Sequence, residues 1–229
     1  MRIKELKKKC VDRHPEDIWT YKFIRPLSVY PTWVCLKLGI KPNQVTVFGF
    51  LLGILGCVLL SFGTYTTIIL GALLINLNYL LDRVDGNVAR MTNTTSQFGK
   101  ILDVYCDYVI MVLTPVSLGI GLYFHPAFGI PGVIYLALGF SFALIRSLRL
   151  NISSFTSSVT KEVTVNIIKS DNRIIKVGLA IIALESVILL GFALSNILGI
   201  YLIGYTITAI GELIIYPITS LVNAKRGEE

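Results

Sequence analysis

The sequence is poor in charged side chains, which make up 15% of its 229 residues, against roughly 25% in an ordinary soluble domain. Hydrophobic residues account for 54% and the mean hydropathy is +0.70. A soluble fold of this size cannot bury so much apolar surface, so the excess must face something other than water. The composition therefore excludes a water-soluble enzyme, a disordered chain and a fibre, and predicts an integral membrane protein of one compact domain.

Cysteine and histidine are also scarce. The chain has four cysteines and two histidines, and it contains no CxxC motif and no Cys/His cluster. This pattern indicates neither a disulfide framework nor a zinc site. The basic N-terminus is not followed closely by an apolar run, so we expect internal spans rather than a cleavable signal peptide to direct membrane insertion.

Six apolar stretches approach the roughly 20 helical residues that a bilayer core of about 30 Å requires. They are residues 43–63, 66–81, 99–124, 128–150, 173–195 and 197–222. Short turns containing Gly, Pro or Asn join the first stretch to the second, the third to the fourth and the fifth to the sixth, which predicts antiparallel hairpins. We therefore predict an all-α membrane protein with an N-terminal segment 1–42, a six-helix transmembrane domain 43–224 and a short tail 225–229.

Basic residues are distributed unevenly. Ten of the 21 Lys and Arg residues lie in residues 1–42, and the three short turns contain none. The positive-inside rule then predicts that both termini and the polar loop 151–172 are cytoplasmic. The net charge of +7 is explained by this topology, and nothing else in the sequence supports nucleic-acid binding.

The segment 18–38 mixes aromatic, aliphatic and cationic residues. Trp and Tyr favour the headgroup level of a bilayer, and Lys and Arg favour anionic lipid. We predict an amphipathic element on the cytoplasmic leaflet, in contact with membrane lipids and broken at Pro26 and Pro31.

Four aspartates lie at membrane depth in the sequence. Asp82 and Asp85 are three residues apart, and Asp103 and Asp107 are four apart, so each pair shares one face of a helix. Carboxylates inside a membrane are costly and mark function by default. Oxygen ligands without Cys or His suit Mg²⁺ or Mn²⁺, which typically handle phosphate groups. The residues thus predict a divalent-metal phosphoryl-transfer site at the cytoplasmic edge of the membrane.

The spacing D-x2-DG-x2-AR-x8-G-x3-D-x3-D, which runs from residue 82 to residue 107, resembles the complete motif of the CDP-alcohol phosphatidyltransferases. Its fixed positions are Asp82, Asp85, Gly86, Ala89, Arg90, Gly99, Asp103 and Asp107. The resemblance implies an enzyme that cleaves the pyrophosphate of a CDP-linked alcohol, transfers the phospho-alcohol to an acceptor hydroxyl and releases CMP.

The resemblance also implies roles for individual residues. Asp82, Asp85 and Asp103 would hold metal, with two Mg²⁺ or Mn²⁺ ions in the site, and Asp107 would be the general base and a contact of the second ion. The resemblance implies that a further set of residues binds the nucleotide of the donor or its phosphates. They are Asn43, Thr46, Asp85, Gly86, Ala89, Arg90, Ser96 and Gly99. A homodimer is implied by the same resemblance.

Basic residues near the inner ends of the fourth and fifth stretches are candidates for acceptor binding. Arg146 and Arg149 share a helix face, and Arg173 and Lys176 repeat the spacing. The positive-inside rule alone explains them, but four cations would also suit an acceptor that carries phosphate. Glu185 and Glu212 either bond a neighbouring helix or line a cavity.

Two alternatives stay open. A CDP-choline- or CDP-ethanolamine-type transferase acting on diacylglycerol shares the motif with an enzyme that uses CDP-diacylglycerol or its ether-lipid equivalent. A cation transporter would use intramembrane aspartates differently, with charges spread along a path and an internal repeat. The four aspartates cluster instead, and the two halves of the sequence show no repeat.

Overall fold

The computed structural model describes residues 25–159 and 185–227, and in these ranges the chain is helical with short connections and no strand. The described residues form seven helices: α1 Arg25–Leu38, α2 Pro42–Ser61, α3 Tyr65–Thr92, α4 Gln97–Phe124, α5 Gly132–Val159, α6 Glu185–Leu194 and α7 Leu198–Gly227. The residues before 25 and the candidate acceptor ligands Arg173 and Lys176 lie outside these ranges.

Four of the described helices are long and apolar enough to cross a membrane. They are α2, α3, α4 and the part Gly132–Arg149 of α5. Over the described residues this confirms an all-helical structure, with four candidate membrane-spanning helices. The fifth and sixth predicted spans coincide in part with two shorter apolar helical segments, Glu185–Leu194 and Leu198–Ile214.

The predicted turns between paired helices are where the sequence places them. Gly63, with φ of 71°, and Asn196, with φ of 55°, take the left-handed conformation that ends a helix. Thr64 then caps α3 by accepting a hydrogen bond from the Thr67 backbone N–H. Two helices extend further than the apolar pattern suggests: α3 continues to Thr92, and α5 continues to Val159, into the stretch predicted as a polar loop.

The predicted break at Pro31 is wrong, because α1 continues through this residue. The predicted break at Pro26 involves residues before 25, which lie outside the described ranges. Pro26 lies in the first turn, where a helix needs no N–H donor, and Pro31 removes one internal hydrogen bond. Burial of Val29 and Cys35 beside α3 accompanies this helical form.

Glycines let the membrane helices pack closely. Gly56 of α2 lies against Gly71 of α3, and Gly121 of α4 lies against Gly63 and the Leu60 carbonyl. Small residues at such contacts let the helix backbones approach each other. The helices α2, α3 and α4 therefore form a tight three-helix unit, against which α5 packs through α4 and α6 packs through α3.

The contacts also fix the relative depth of the helices. α5 runs antiparallel to α4, with Gly139 beside Gly119 and Gly132 beside Tyr123. Continuing this register brings the second half of α5 level with the first half of α4, which carries the motif's last two aspartates. α7 runs parallel to α5, because Gly199 meets Tyr135 and the Phe142 and Tyr205 rings lie 6.1 Å apart.

The close contact at Gly121 makes a stability prediction. A methyl group at this position would collide with the Leu60 carbonyl oxygen, so we expect Gly121→Ala to cost about 1–3 kcal/mol through overpacking and to lower the thermal unfolding midpoint in detergent. Gly191→Ala is the matched control, since no heavy atom lies within 4 Å of its added carbon. Equal midpoints for the two variants would contradict the packing described here.

Candidate active site

Three aspartates from two antiparallel helices converge at one end of the bundle. Asp82 and Asp85 come from the last turns of α3, and Asp103 comes from the second turn of α4. One carboxylate oxygen from each lies within 4.8 Å of the other two. Like charges at this separation repel strongly in a low-dielectric setting, so the cluster requires compensating positive charge.

Thr46, in the first turn of α2, ties this helix to the cluster. Its hydroxyl donates a hydrogen bond of 2.6 Å to Oδ2 of Asp85, a residue that is only 5% exposed. A hydrogen bond to a carboxylate is stronger than one between neutral groups, and it fixes the rotamer of the buried acid. The start of α2 is therefore part of the site.

Gly86 provides the room for the guanidinium of Arg90. A Cβ at Gly86 would lie 3.2 Å from both terminal nitrogens of Arg90, which is one turn further along α3. The Arg90 side chain therefore folds back across Gly86, toward the turn that carries Asp85. A larger residue at position 86 would have to displace this cation.

Gly99 leaves room for a side chain from the start of α2. A Cβ there would lie 3.0 Å from Oδ1 of Asn43 and 3.1 Å from the Ser96 hydroxyl oxygen. Ser96 is the N-cap of α4, and its hydroxyl accepts a hydrogen bond of 3.0 Å from the Gly99 N–H. The N-terminal end of α4 thus meets the first turn of α2, and such helix ends favour anions.

These elements surround one open cleft. All the residues predicted to bind the donor line it: Asn43, Thr46, Asp85, Gly86, Ala89, Arg90, Ser96 and Gly99. The cleft also contains Asp103 and four residues outside the predicted site, namely Pro42, Thr94, Thr95 and Lys100. Pro42 begins α2, Lys100 lies in the first turn of α4, and Thr94 and Thr95 lie in the connection between α3 and α4. Their signal in the sequence is that each is close to a predicted site residue.

Asp107 stands apart from the triad. It lies one turn beyond Asp103 on the same helix and is exposed, and in the described residues it is not in the group whose oxygens approach within 4.8 Å. This placement separates it from the three acids that can share one ion.

Arg146 and Arg149 have acidic partners on other helices. Arg146 forms an ion pair with Glu185 at the start of α6, and Arg149 forms one with Glu212 of α7. This confirms that the two glutamates bond to a neighbouring helix. The pairs lie level with the aspartates in the helix register described above, but neither arginine lines the cleft.

The chemistry of the triad fits a hard divalent cation. The triad offers carboxylate oxygens alone, and the buried Asp85 carboxylate accepts a hydrogen bond from the Thr46 hydroxyl. Mg²⁺ and Mn²⁺ prefer oxygen ligands and bind through a few carboxylates together with phosphate oxygens. Asp82, Asp85 and Asp103 are therefore the residues that can hold a metal ion.

Comparison with known proteins identifies the family. The sequence profile described as CDP-alcohol phosphatidyltransferase matches residues 40–211. The chain belongs to the CDP-alcohol phosphatidyltransferase family. The family consists of transferases of substituted phosphate groups, and the match confirms the resemblance drawn from the motif.

Individual relatives resemble this family member over part of their length. It is 35% identical over 116 residues to CDP-diacylglycerol–serine O-phosphatidyltransferase of Helicobacter pylori, covering 51% of this chain and 47% of that protein. It is 32% identical over 116 residues to cholinephosphotransferase 1 of Rattus norvegicus, covering 45% of this chain and 29% of that protein. The chain thus matches less than half the length of these curated relatives.

The fold is shared with a solved transferase. Phosphatidylinositol phosphate synthase of Mycobacterium tuberculosis with CDP-DAG bound superimposes with a TM-score of 0.58 at 16% identity, covering 85% of this chain and 93% of that one. The same enzyme in complex with manganese and citrate gives a TM-score of 0.57 at 16% identity, covering 85% and 88%. At this identity the likeness concerns the fold.

The separation of Asp107 from the triad predicts a difference in metal binding. Asp103→Ala removes one of three converging carboxylates, so we expect Mn²⁺ affinity to fall at least ~10-fold, the loss of about 1.4 kcal/mol or more. Asp107→Asn should keep the affinity for the Mn²⁺ ion held by the triad within about threefold, a change of under 1 kcal/mol. Mn²⁺ titration followed by electron paramagnetic resonance measures both variants. Equal losses would place Asp107 among the ligands of the ion.

Proposed function

We propose that the protein transfers a phosphatidyl group from a CDP-linked lipid, such as CDP-diacylglycerol or its ether-lipid equivalent, to the hydroxyl of a small alcohol, and releases CMP. One observation carries the proposal. Asp85 and Asp103 of the carboxylate triad line the same cleft as a guanidinium held above Gly86 and the N-terminal end of α4. A pyrophosphate linked to a nucleotide requires this combination of groups.

The residues of the cleft divide the reaction between them. Arg90 and the start of α4 bind the phosphates of the donor, while Asn43 and Thr46 border the same cleft from α2. Asp107, one turn beyond Asp103 on α4, accepts the proton of the acceptor hydroxyl. The hydroxyl oxygen of the acceptor bonds to the lipid-linked phosphorus as the bond from this phosphorus to CMP breaks. Asp82, Asp85 and Asp103 would hold one Mg²⁺ or Mn²⁺ ion and Asp107 would contact a second, and the two ions would neutralise negative charge on the pyrophosphate.

The surroundings of the cleft support a lipid substrate. Phe98, Ile101 and Val104 of α4 are each about two thirds exposed, at 67%, 70% and 67%, beside the helix face that carries Asp103. These side chains require apolar surroundings, such as acyl chains. A lipid acceptor with CDP-choline or CDP-ethanolamine as donor also fits this surface. We favour the lipid donor, in keeping with the solved relative whose structure contains CDP-DAG.

We propose a topology of six spans with both termini and the active site on the cytoplasmic side. Four spanning helices and two shorter apolar helical segments support it, together with the basic N-terminal segment. α1 would lie on the leaflet surface, with exposed Leu27, Tyr30 and Leu38 toward lipid. A homodimer belongs to the same proposal.

The acceptor side of the site is proposed at Arg146 and Arg149. The ion pairs change the charge expected there, because two arginines and two glutamates carry no net charge as a group. A phosphorylated acceptor would have to displace a glutamate from each guanidinium. We therefore propose an acceptor without net negative charge, either a neutral polyol or a zwitterionic amino alcohol, rather than the phosphorylated acceptor that the cations alone suggest.

Turnover with a panel of substrates tests the function and the acceptor. We expect purified protein with Mg²⁺ or Mn²⁺ to release CMP from CDP-diacylglycerol. Serine, inositol or glycerol should give at least ~10-fold higher kcat/KM than glycerol phosphate or inositol phosphate. The reason is that a phosphorylated acceptor must displace a glutamate, which costs a charge-assisted hydrogen bond of about 1.5–3 kcal/mol. Glu212→Gln, which frees Arg149, should shift the preference toward phosphorylated acceptors.

Two results would count against this proposal. Preference of the unmodified protein for a phosphorylated acceptor would refute the acceptor class. Cation flux in liposomes without CMP release from any CDP-alcohol would refute the transferase.

Asp107→Asn isolates the proton-accepting step. An amide has the size of the carboxylate but cannot take the acceptor's proton, so we expect the rate of transfer to fall by roughly 10²–10⁴-fold, the usual contribution of a general base. The affinity for CDP should stay within about twofold, a difference of under 0.5 kcal/mol. CMP release and calorimetric CDP titration measure the two effects. Transfer at the unmodified rate would remove Asp107 from the chemistry.

A further inference from the structure

Asn87 is a buried polar residue to which the motif assigns no role. It occupies one of the two variable positions between Gly86 and Ala89 and is 6% exposed. Its amide nitrogen donates to the hydroxyls of Ser28, at 3.2 Å, and Thr32, at 3.4 Å. Both partners are on α1 and are almost completely buried.

The other end of the Asn87 amide holds Arg90. Oδ1 of Asn87 accepts a hydrogen bond of 2.9 Å from a terminal nitrogen of the Arg90 guanidinium. The same guanidinium lies against Gly86, where a Cβ would be 3.2 Å away. Arg90 is therefore held on two sides by its own helix, while it lines the cleft.

The hydrogen bonds agree with one orientation of the amide. Arg90 offers only donors, so it must face the Asn87 oxygen. The amide nitrogen then faces two hydroxyl oxygens, and Thr32 remains able to accept because it donates its own proton to the Ser28 carbonyl at 2.7 Å. Turning the amide over would place its NH2 group against the Arg90 donors and its oxygen against a Thr32 hydroxyl whose proton is already donated. Arg90 and α1 together therefore fix the orientation of the amide.

We propose that Asn87 is a positioning residue, which α1 orients through Ser28 and Thr32 so that Arg90 is preset for the donor's phosphates. The inference rests on the proposed function, because it needs a phosphate ligand in the cleft. Its physical basis is entropy: an arginine that is already ordered loses less conformational freedom on binding, and immobilising a long side chain weakens binding by roughly 3- to 10-fold. Nothing in this role requires Asn87 to touch substrate.

The test is a double-mutant cycle between Asn87 and Arg90, read as CDP affinity and as donor KM and kcat. Asn87→Leu keeps the shape but removes the hydrogen bonds, so we expect it to weaken CDP binding and raise donor KM roughly 3- to 10-fold, with kcat within twofold. Arg90→Ala should raise donor KM roughly 10- to 100-fold. The Asn87→Leu change should then add less than twofold on the Arg90→Ala background.

Further variants separate positioning from general destabilisation. The pair Ser28→Ala and Thr32→Val, made together, removes the α1 partners while leaving Asn87 in place, and should raise donor KM about 2- to 5-fold, the lower part of the range for one ordered side chain. Thr114→Val is the control, since it removes a buried hydroxyl that donates to the Ile110 carbonyl within α4, and it should leave donor KM unchanged.

Each remaining outcome overturns a defined claim. An active protein in which Asn87→Leu leaves donor KM unchanged, or multiplies it equally with and without Arg90, overturns the positioning role. CDP binding without CMP release from any CDP-alcohol refutes the transferase, and the CDP-affinity arm of the cycle then decides on Asn87. A protein that binds no CDP overturns both.

Discussion

The mutual repulsion of three carboxylates brought within 4.8 Å of one another is the constraint on which this structure depends. Carboxylates in a membrane-spanning helix are costly even singly, and grouping them raises the cost further. Their surroundings supply part of what offsets it, namely a hydroxyl from α2 and a guanidinium folded across a glycine. A divalent cation held by the three carboxylates would supply the rest. The packing of α3 and α4 on α2 serves this arrangement, since the three helices and the connection between α3 and α4 contribute every lining residue of the cleft.

Much of this was readable in the sequence because the motif is local. The spacing of Asp82 and Asp85, and of Asp103 and Asp107, fixes which helix face each occupies, and the helical periodicity then brings the faces together. Hydropathy located the four helices long enough to cross a membrane, and glycine and asparagine located the turns at Gly63 and Asn196. Hydropathy was less exact at helix ends such as Thr92 and Val159, because a helix continues past its apolar stretch where its own hydrogen bonds and polar surroundings allow.

What the sequence did not reveal depends on contacts between distant segments. Periodicity placed Arg146 and Arg149 on one face, but the pairing with Glu185 and Glu212 joins residues 39 and 63 positions apart, and no local pattern encodes it. The same holds for Asn87 and its partners on α1, 55 and 59 positions away. Prolines led to the prediction of a broken α1, although a helix packed on a neighbour tolerates one missing bond at Pro31.

The cleft is formed in part by Asn43 and Thr46, and both lie in the first turn of α2. A 20-residue helix is about 30 Å long and matches the apolar thickness of a bilayer, so its first turn lies at the depth of lipid headgroups. A lipid whose phosphates enter the cleft can therefore leave its acyl chains in the leaflet. A lipid donor of the proposed kind would arrive by lateral diffusion without being extracted, and the rate of transfer would follow its mole fraction in the surface rather than its bulk concentration.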